Sequence, residues 1–304
     1  MSNKKLICVL GPTAIGKTSL GIALAKHFHT EIISADSRQF FKEMKIGTAV
    51  PSNEELRQVP HHFIQHLSIK DSYSVGQFEK DALAKLDKLF TQHNIVIAVG
   101  GSGLYVKALI DGLDDFPEVP KHIREKLNTT YKNEGLNPLK NKLLEVDPAY
   151  ANKIELDNPH RVIRALEVFE ASGKKFSSFL GKAKSNRKFD TITIGLTAER
   201  EIIYQRIEQR VDVMIAEGLL EEAKRLFPYR HLNALNTVGY KELFQHFSGE
   251  CSLETAILEI KKNTRRFAKR QLTWFRNQQN IVWFDYATAH NQIINNTNKL
   301  LHSK

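Results

Sequence analysis

The chain has 304 residues, 41% of them hydrophobic and 26% charged, with a formal net charge of +10 and two cysteines. That length allows a large core and about two domains. The apolar runs fall far short of the roughly 18 residues a membrane helix needs, and no signal-peptide pattern leads the chain, so no membrane partner is expected. The basic excess suits a polyanion such as RNA or DNA, or serves solubility alone.

In chain order, Leu6–Leu10 reads as a buried strand and Ser19–His27 as a helix. Cys8 lies inside that strand, which argues against a disulfide framework and for a reducing cytoplasm. Between strand and helix stands Gly11-Pro12-Thr13-Ala14-Ile15-Gly16-Lys17-Thr18, which fits the phosphate-binding pattern G-x-x-x-x-G-K-[ST] at every fixed position. Glycines let the backbone turn its N–H groups inward at phosphate oxygens. Lys17 adds a point charge, the helix N-terminus adds its partial positive charge, and Thr18 offers a hydroxyl to Mg²⁺. The loop predicts bound diphosphate or triphosphate. It leaves the class open among an NTPase, a small-molecule kinase and another group transferase.

The next strand, Glu31–Ser34, leads into Ala35-Asp36-Ser37-Arg38-Gln39. Ligands of open α/β sheets sit beyond the carboxyl ends of strands, so Asp36 is expected to face the same crevice as the loop. It suits a general base or a metal partner there, or simply an Asx turn. Gln39 offers an amide for reading a base edge. A helix is predicted over Val75–Thr91, then a strand over Ile95–Val99 that runs into Gly100-Gly101-Ser102-Gly103 with no acid at its end. An NTPase normally ends such a strand in a Mg²⁺-holding Asp. Here the glycines let something large approach the backbone.

From the turn-rich Asp114–Pro120 to about Arg187 no strand is predicted, and Lys121–Glu134, Leu136–Leu144, Pro148–Ile154 and Pro159–Ala171 read as helices. Thr191–Leu196 then alternates like a strand and rejoins the sheet, and Ile281–Asp285 could add one more. The expected architecture is α/β: a P-loop NTPase-like parallel-sheet core formed by residues 1–114 and 189–304, with a mainly helical inserted domain at 115–188.

After the strand at 191–196 come Arg206 and Arg210, four apart on one helical face and suited to a diphosphate whose charge grows as it leaves, or to a salt-bridged surface. Near the C-terminus, seven basic residues fall among the sixteen of 261–276. Lys262, Arg265, Arg266, Lys269 and Arg276 share a broad face with aromatic residues beside it, the footprint of nucleic-acid binding or of a solvated face. His61, His62 and His66 lack the partners of a zinc site.

Taken together, several of these motifs resemble one family, the tRNA dimethylallyltransferases. They are Gly11–Thr18, Ser34–Gln39 leading to Ile46-Gly47-Thr48-Ala49, Pro60-His61-His62, Tyr73–Phe78, Val99–Tyr105, Arg161–Val168, Val238-Gly239-Tyr240 and Ala268–Phe275. The resemblance runs in order over nearly the whole chain. Arg38, Gln65 and Phe40-Phe41-Lys42-Glu43 depart from the family's usual residues, and no zinc-finger extension follows, as in the bacterial form.

The resemblance implies dimethylallyl diphosphate as donor and, as acceptor, N6 of the adenosine beside the anticodon of tRNA. It implies that Gly11, Pro12, Thr13, Ala14, Ile15, Gly16, Lys17 and Thr18 cradle a diphosphate leaving group, with Mg²⁺ bridging it to Thr18. Asp36 would act as base, Thr13 would orient the reacting centre, and Arg210 rather than Arg206 would hold the diphosphate. It places Asp36, Ser37, Arg38, Gln39, Ser102, Arg124, His160, Arg161, Val162, Ile163, Arg164, Gly239, Tyr240 and Lys241 on the tRNA. Arg265 and Lys269 of the basic helix would join them, and the insert would clamp the anticodon stem-loop. A cytoplasmic monomer is expected, and an ATP-using small-molecule kinase or NTPase is the competing reading.

Overall fold

A computed structural model describes residues 4–181 and 187–302. Residues 1–3, 303–304 and 182–186, the last within the expected insert, lie outside it. The chain divides into two compact units, Met1–Ile110 with Arg187–Lys304, and Asp111–Asn186.

The larger unit is built on six parallel strands: β1 (Lys5–Leu10), β2 (Ile32–Ser34), β3 (His61–His62), β4 (Ile95–Gly100), β5 (Asp190–Thr197) and β6 (Ile281–Asp285). Their order is β3-β2-β4-β1-β5-β6. β1 lies at the centre, with Leu10 in register with Gly100 of β4 and Gly195 of β5. Alternate residues of β1 serve opposite faces: Leu6, Cys8 and Leu10 pack into one apolar layer, Ile7 and Val9 into the other. Leu6, Ile7 and Val9 are wholly buried, each stabilising the fold by about 2 kcal/mol. The face under Ile7 is covered by α1 (Lys17–His27), α9 (Arg200–Ala216) and α13 (His290–His302). The face under Leu6 is covered by α3 (Val75–Leu89), α4 (Gly103–Ile110), α10 (Leu219–Leu226) and α11 (Tyr240–Phe247). The 24-residue α12 (Leu253–Arg276) sends Ala256 and Ile260 to that second layer and Ala268 to the first. The short α2 (Asn53–Gln58) begins in a capping box between Ser52 and Glu55.

The smaller unit is helical: α5 (Lys121–Glu134), α6 (Asn137–Val146), α7 (Pro148–Ala151) and α8 (Pro159–Ser172). Leu127, Leu139, Leu143, Val162 and Leu166 form its core. α8 starts where Asn158 accepts from the N–H groups of His160 and Arg161, and it stops at Gly173, which takes the left-handed conformation.

The fold class expected from the sequence is the one observed. β3 is the strand that the sequence pattern misses, because two residues carry no alternation to read.

Candidate active site

The phosphate loop closes β1 and opens α1. Gly11 and Gly16 hold φ of +146° and +105°, and a Cβ on Gly11 would lie 2.6 Å from the Leu196 carbonyl oxygen. Only glycine lets the loop lie this close to the end of β5. Ala14 also takes a positive φ, 65°. Gly16 caps α1 without a side-chain bond and no acid stands in the first turn, so the helix presents its open N–H groups at the loop. Lys17 Nζ donates to the Pro12 carbonyl at 2.7 Å.

Two side chains from other helices brace the loop. Gln271 of α12 accepts from Thr13 N–H at 2.9 Å and donates to the Gly101 carbonyl at 2.8 Å, tying the loop to the end of β4. A Cβ on Gly101 would meet Gln271 at 2.6 Å, and one on Gly103 would meet the Trp274 ring at 2.3 Å. The large group that the glycine run admits is therefore α12. On the other side, Arg206 Nε donates to the Ala14 carbonyl at 2.8 Å while its guanidinium lies 5.2 Å from the centre of the Tyr286 ring.

Two adjoining cavities, of about 480 and 400 Å³, open around this loop. Gly16, Lys17 and Thr18 line the first; Ser37, Arg38, Ser102, Gly239 and Lys241 line the second. Thr13, Asp36, Arg210 and Phe267 line both. Burial pushes the Lys17 ammonium down to about 7, helped by the neighbouring Arg210 charge and opposed by Asp36. Burial also works against the charge of Arg210, with Asp36 supporting it. Asp36 Oδ1 accepts from the N–H of Arg38 at 3.0 Å, so the Asx turn is real, and it aims the carboxylate at the junction. Arg206, bonded to Ala14 and set against Tyr286, lines the first cavity alone, whereas Arg210 lines both.

Buried polar side chains hold the wall of the second cavity. The Glu222 carboxylate, 3% exposed, accepts from the N–H groups of Lys45, Ile46 and Gly47 at 3.1, 2.9 and 2.9 Å, and from the Tyr240 hydroxyl at 2.7 Å. The half-buried Gln39, which lines the first cavity, donates to the Thr48 and Ala49 carbonyls at 3.3 and 3.0 Å. Arg38 donates to the carbonyls of Asn233 and Ala234, both at 2.9 Å. Glu242 accepts from Gly239 N–H and from the Asn263 side chain, both at 2.8 Å. Sequence reasoning missed Glu222, Glu242 and the Gln271 brace; the signal for Gln271 was the glycine run that needs a partner.

Apart from Gln39, which lines the first cavity, the residues expected on RNA fall into three groups. Asp36, Ser37, Arg38, Ser102, Gly239 and Lys241 gather at the second cavity, where Ser102 Oγ accepts from Ser37 N–H at 3.0 Å. Arg124, His160, Arg161 and Arg164 belong to the helical unit. There the buried Glu167 pairs with Arg124 at 2.8 Å and Arg164 at 2.5 Å, and Arg164 stacks over Phe116. Three expectations need correction: the side chains of Tyr240, Val162 and Ile163 are 0%, 0% and 5% exposed, so they pack cores rather than offer an RNA contact. On α12, Arg265 pairs with Glu208 and Lys262 with Glu259, while Lys269 is exposed. His62 meets Glu31 at 2.5 Å and His61 Nδ1 meets the Val59 carbonyl at 2.8 Å.

Comparison with known proteins adds the following. Residues 39–278 match the family model described as IPP transferase. A tRNA dimethylallyltransferase of Christiangramia forsetii is 62% identical over 286 residues, 94% of each chain. One of Flavobacterium johnsoniae is 57% identical over 297 residues, 96% of each. The crystal structure of a tRNA isopentenylpyrophosphate transferase from Bacillus halodurans is 37% identical, covering 99% of this chain and 100% of its own, with a TM-score of 0.70. A eukaryotic dimethylallyltransferase captured acting on tRNA is 28% identical, covering 98% of this chain and 79% of its own, with a TM-score of 0.84.

Proposed function

The chain belongs to the tRNA dimethylallyltransferase family, a prenyltransferase, and we propose that its two cavities hold the two substrates of one transfer. The donor is dimethylallyl diphosphate, with its diphosphate on the phosphate loop. The acceptor is N6 of the adenosine beside the anticodon of tRNA, with that adenine in the second cavity. The observation that carries this reading is that Thr13, Asp36 and Arg210 line both cavities, where they would serve as orienting hydroxyl, base and cation between donor and acceptor.

The N6 nitrogen attacks C1 of the allyl group, the C1–O bond breaks, and its electrons leave with diphosphate. Asp36 takes the proton that N6 sheds, its carboxylate held in aim by the Arg38 N–H. Lys17, Arg210 and the N–H groups opening α1 stabilise the negative charge that grows on the departing diphosphate. Thr13, with its backbone fixed by Gln271, orients the bridging oxygen or the base. Reaching the adenine requires it to leave its stack, as in enzymes that act on a base.

No cluster of three His, Cys, Asp or Glu that could hold a metal ion exists among the described residues. The Thr18 hydroxyl at the first cavity would hold Mg²⁺, with water and the diphosphate supplying the other ligands, as suits a cation that keeps most of its water. When bound, such an ion neutralises leaving-group charge. The exposed Lys269, with His160, Arg161 and Arg124 of the helical unit, would engage the anticodon stem-loop, the helical unit clamping it. The enzyme would work as a monomer in the cytoplasm; among the described residues no helix is long and apolar enough to cross a membrane.

The test is mass spectrometry of tRNA nucleosides after incubation with dimethylallyl diphosphate. A dimethylallyl group on one adenosine of the anticodon loop supports the reading. Phosphate release from ATP with no RNA modification would return it to a kinase or NTPase.

A further inference from the structure

Phe267 has an unusual position. Among the described residues it is the one aromatic that lines both cavities, yet 39% of it is exposed. On α12 it stands four residues before Gln271, on the same face. Gln271 is tied to Thr13 and Gly101, so that stretch of helix is held against the phosphate loop. The ring is therefore fixed at the junction, not carried on a free loop. Its flanks are cationic: Arg266, Lys269 and Arg270 are exposed, Arg270 lines the second cavity, and its guanidinium lies 5.9 Å from the ring centre. A protein surface gains little stability from a half-exposed phenyl ring amid positive charge. A polyanion with flat apolar bases matches both parts of the patch.

We propose that Phe267 is a base-stacking residue of the acceptor cavity: its ring takes one face of the purine that the RNA delivers to Asp36, and Arg270 meets the phosphate beside that nucleotide. This rests on the reading that the second cavity receives the acceptor adenine. Stacking tolerates any base, because each has a π-face. Phe267 thus supplies affinity and alignment, while recognition of adenine falls to polar groups elsewhere in the cavity.

A double-mutant cycle tests this, using an anticodon stem-loop RNA with either adenine or an abasic site at the target position. Phe267→Ala should weaken binding of the adenine RNA by about tenfold. It should leave binding of the abasic RNA, binding of inorganic diphosphate and the melting temperature unchanged. Phe267→Trp should restore affinity and Phe267→Leu should not. Equal weakening toward both RNAs would overturn the proposal by placing the ring on a flanking nucleotide or in the fold, as would full activity in Phe267→Leu. The parent reading fails separately, if the wild-type enzyme leaves the adenine RNA unmodified with dimethylallyl diphosphate.

Discussion

The two cavities differ in what builds them. The proposed donor side takes its phosphate cradle from one short stretch of backbone: Thr13–Thr18 line the first cavity at a helix N-terminus that carries one lysine, and Gly11 and Gly16 bend the loop with positive φ, while side chains such as Arg206 and Gln271 complete the wall. The proposed acceptor side is held by side chains that arrive from far along the chain. Glu222 holds 45–47, Arg38 holds 233–234, and Glu242 holds Gly239. A backbone site is encoded locally and tolerates most side-chain change except at its glycines. A side-chain wall depends on single buried groups, and removing one leaves its partners unsatisfied.

The largest expected effect lies where the two sides meet. Asp36→Ala should lower kcat by a factor on the order of 10²–10⁴, the usual contribution of a general base, with binding of RNA and of diphosphate little changed. Single-turnover rates at saturating substrates measure this. A near-normal rate would leave Asp36 with only its Asx turn and would split the cavities into unrelated sites.

Next comes the wall. Glu222→Ala leaves three backbone N–H groups and the Tyr240 hydroxyl without their acceptor, which should cost about 3 kcal/mol in urea unfolding and raise KM for RNA. Diphosphate affinity should stay as in the wild type, because none of those donors belongs to the phosphate loop. Equal losses on both sides would show that the cavities are coupled through the fold rather than built separately.

The same contrast explains what was legible in the sequence. Gly11–Thr18 could be read because its function needs a fixed local spacing, β1 and β4 because buried parallel strands are continuous apolar runs, and β5 from the alternation of its threonines with apolar residues. The helix Lys121–Glu134, read after the turn-rich Asp114–Pro120, takes those bounds in the fold. Glu222 was not: it sits in a Glu-Glu pair on an amphipathic helix, where an acid ordinarily faces water, and only tertiary structure turns it inward. Tyr240, Val162 and Ile163 failed the opposite way. A motif that travels with a function contains residues that pack as well as residues that touch, and spacing alone does not separate them.

A pH experiment isolates the donor side. The Lys17 ammonium, pushed down to about 7, is charged below that pH and neutral above it, whereas a bound diphosphate favours the charged form. Diphosphate affinity carried by Lys17 should therefore fall about tenfold per pH unit above 7, until the bound state itself loses the proton. Lys17→Arg stays charged throughout, so the ratio of the two proteins' affinities cancels the ligand's own ionisation. Calorimetric titration from pH 6 to 9 measures that ratio; a flat ratio would remove Lys17 from the contact.

The smallest effect concerns α12, and it separates free charge from paired charge. Lys269 is exposed, while Arg265 and Lys262 already pair with Glu208 and Glu259. Removing a cation that sits on an RNA phosphate should lower the slope of log affinity against log salt by about 0.7–0.9. Lys269→Ala should show that full change. Arg265→Ala and Lys262→Ala should show less, because a cation held by a carboxylate is not placed on a phosphate. RNA binding measured across a salt series would rank them. If Arg265→Ala gave the larger change, the Glu208 pair must open when RNA binds, and the basic stripe would engage through rearrangement rather than through the charges it already exposes.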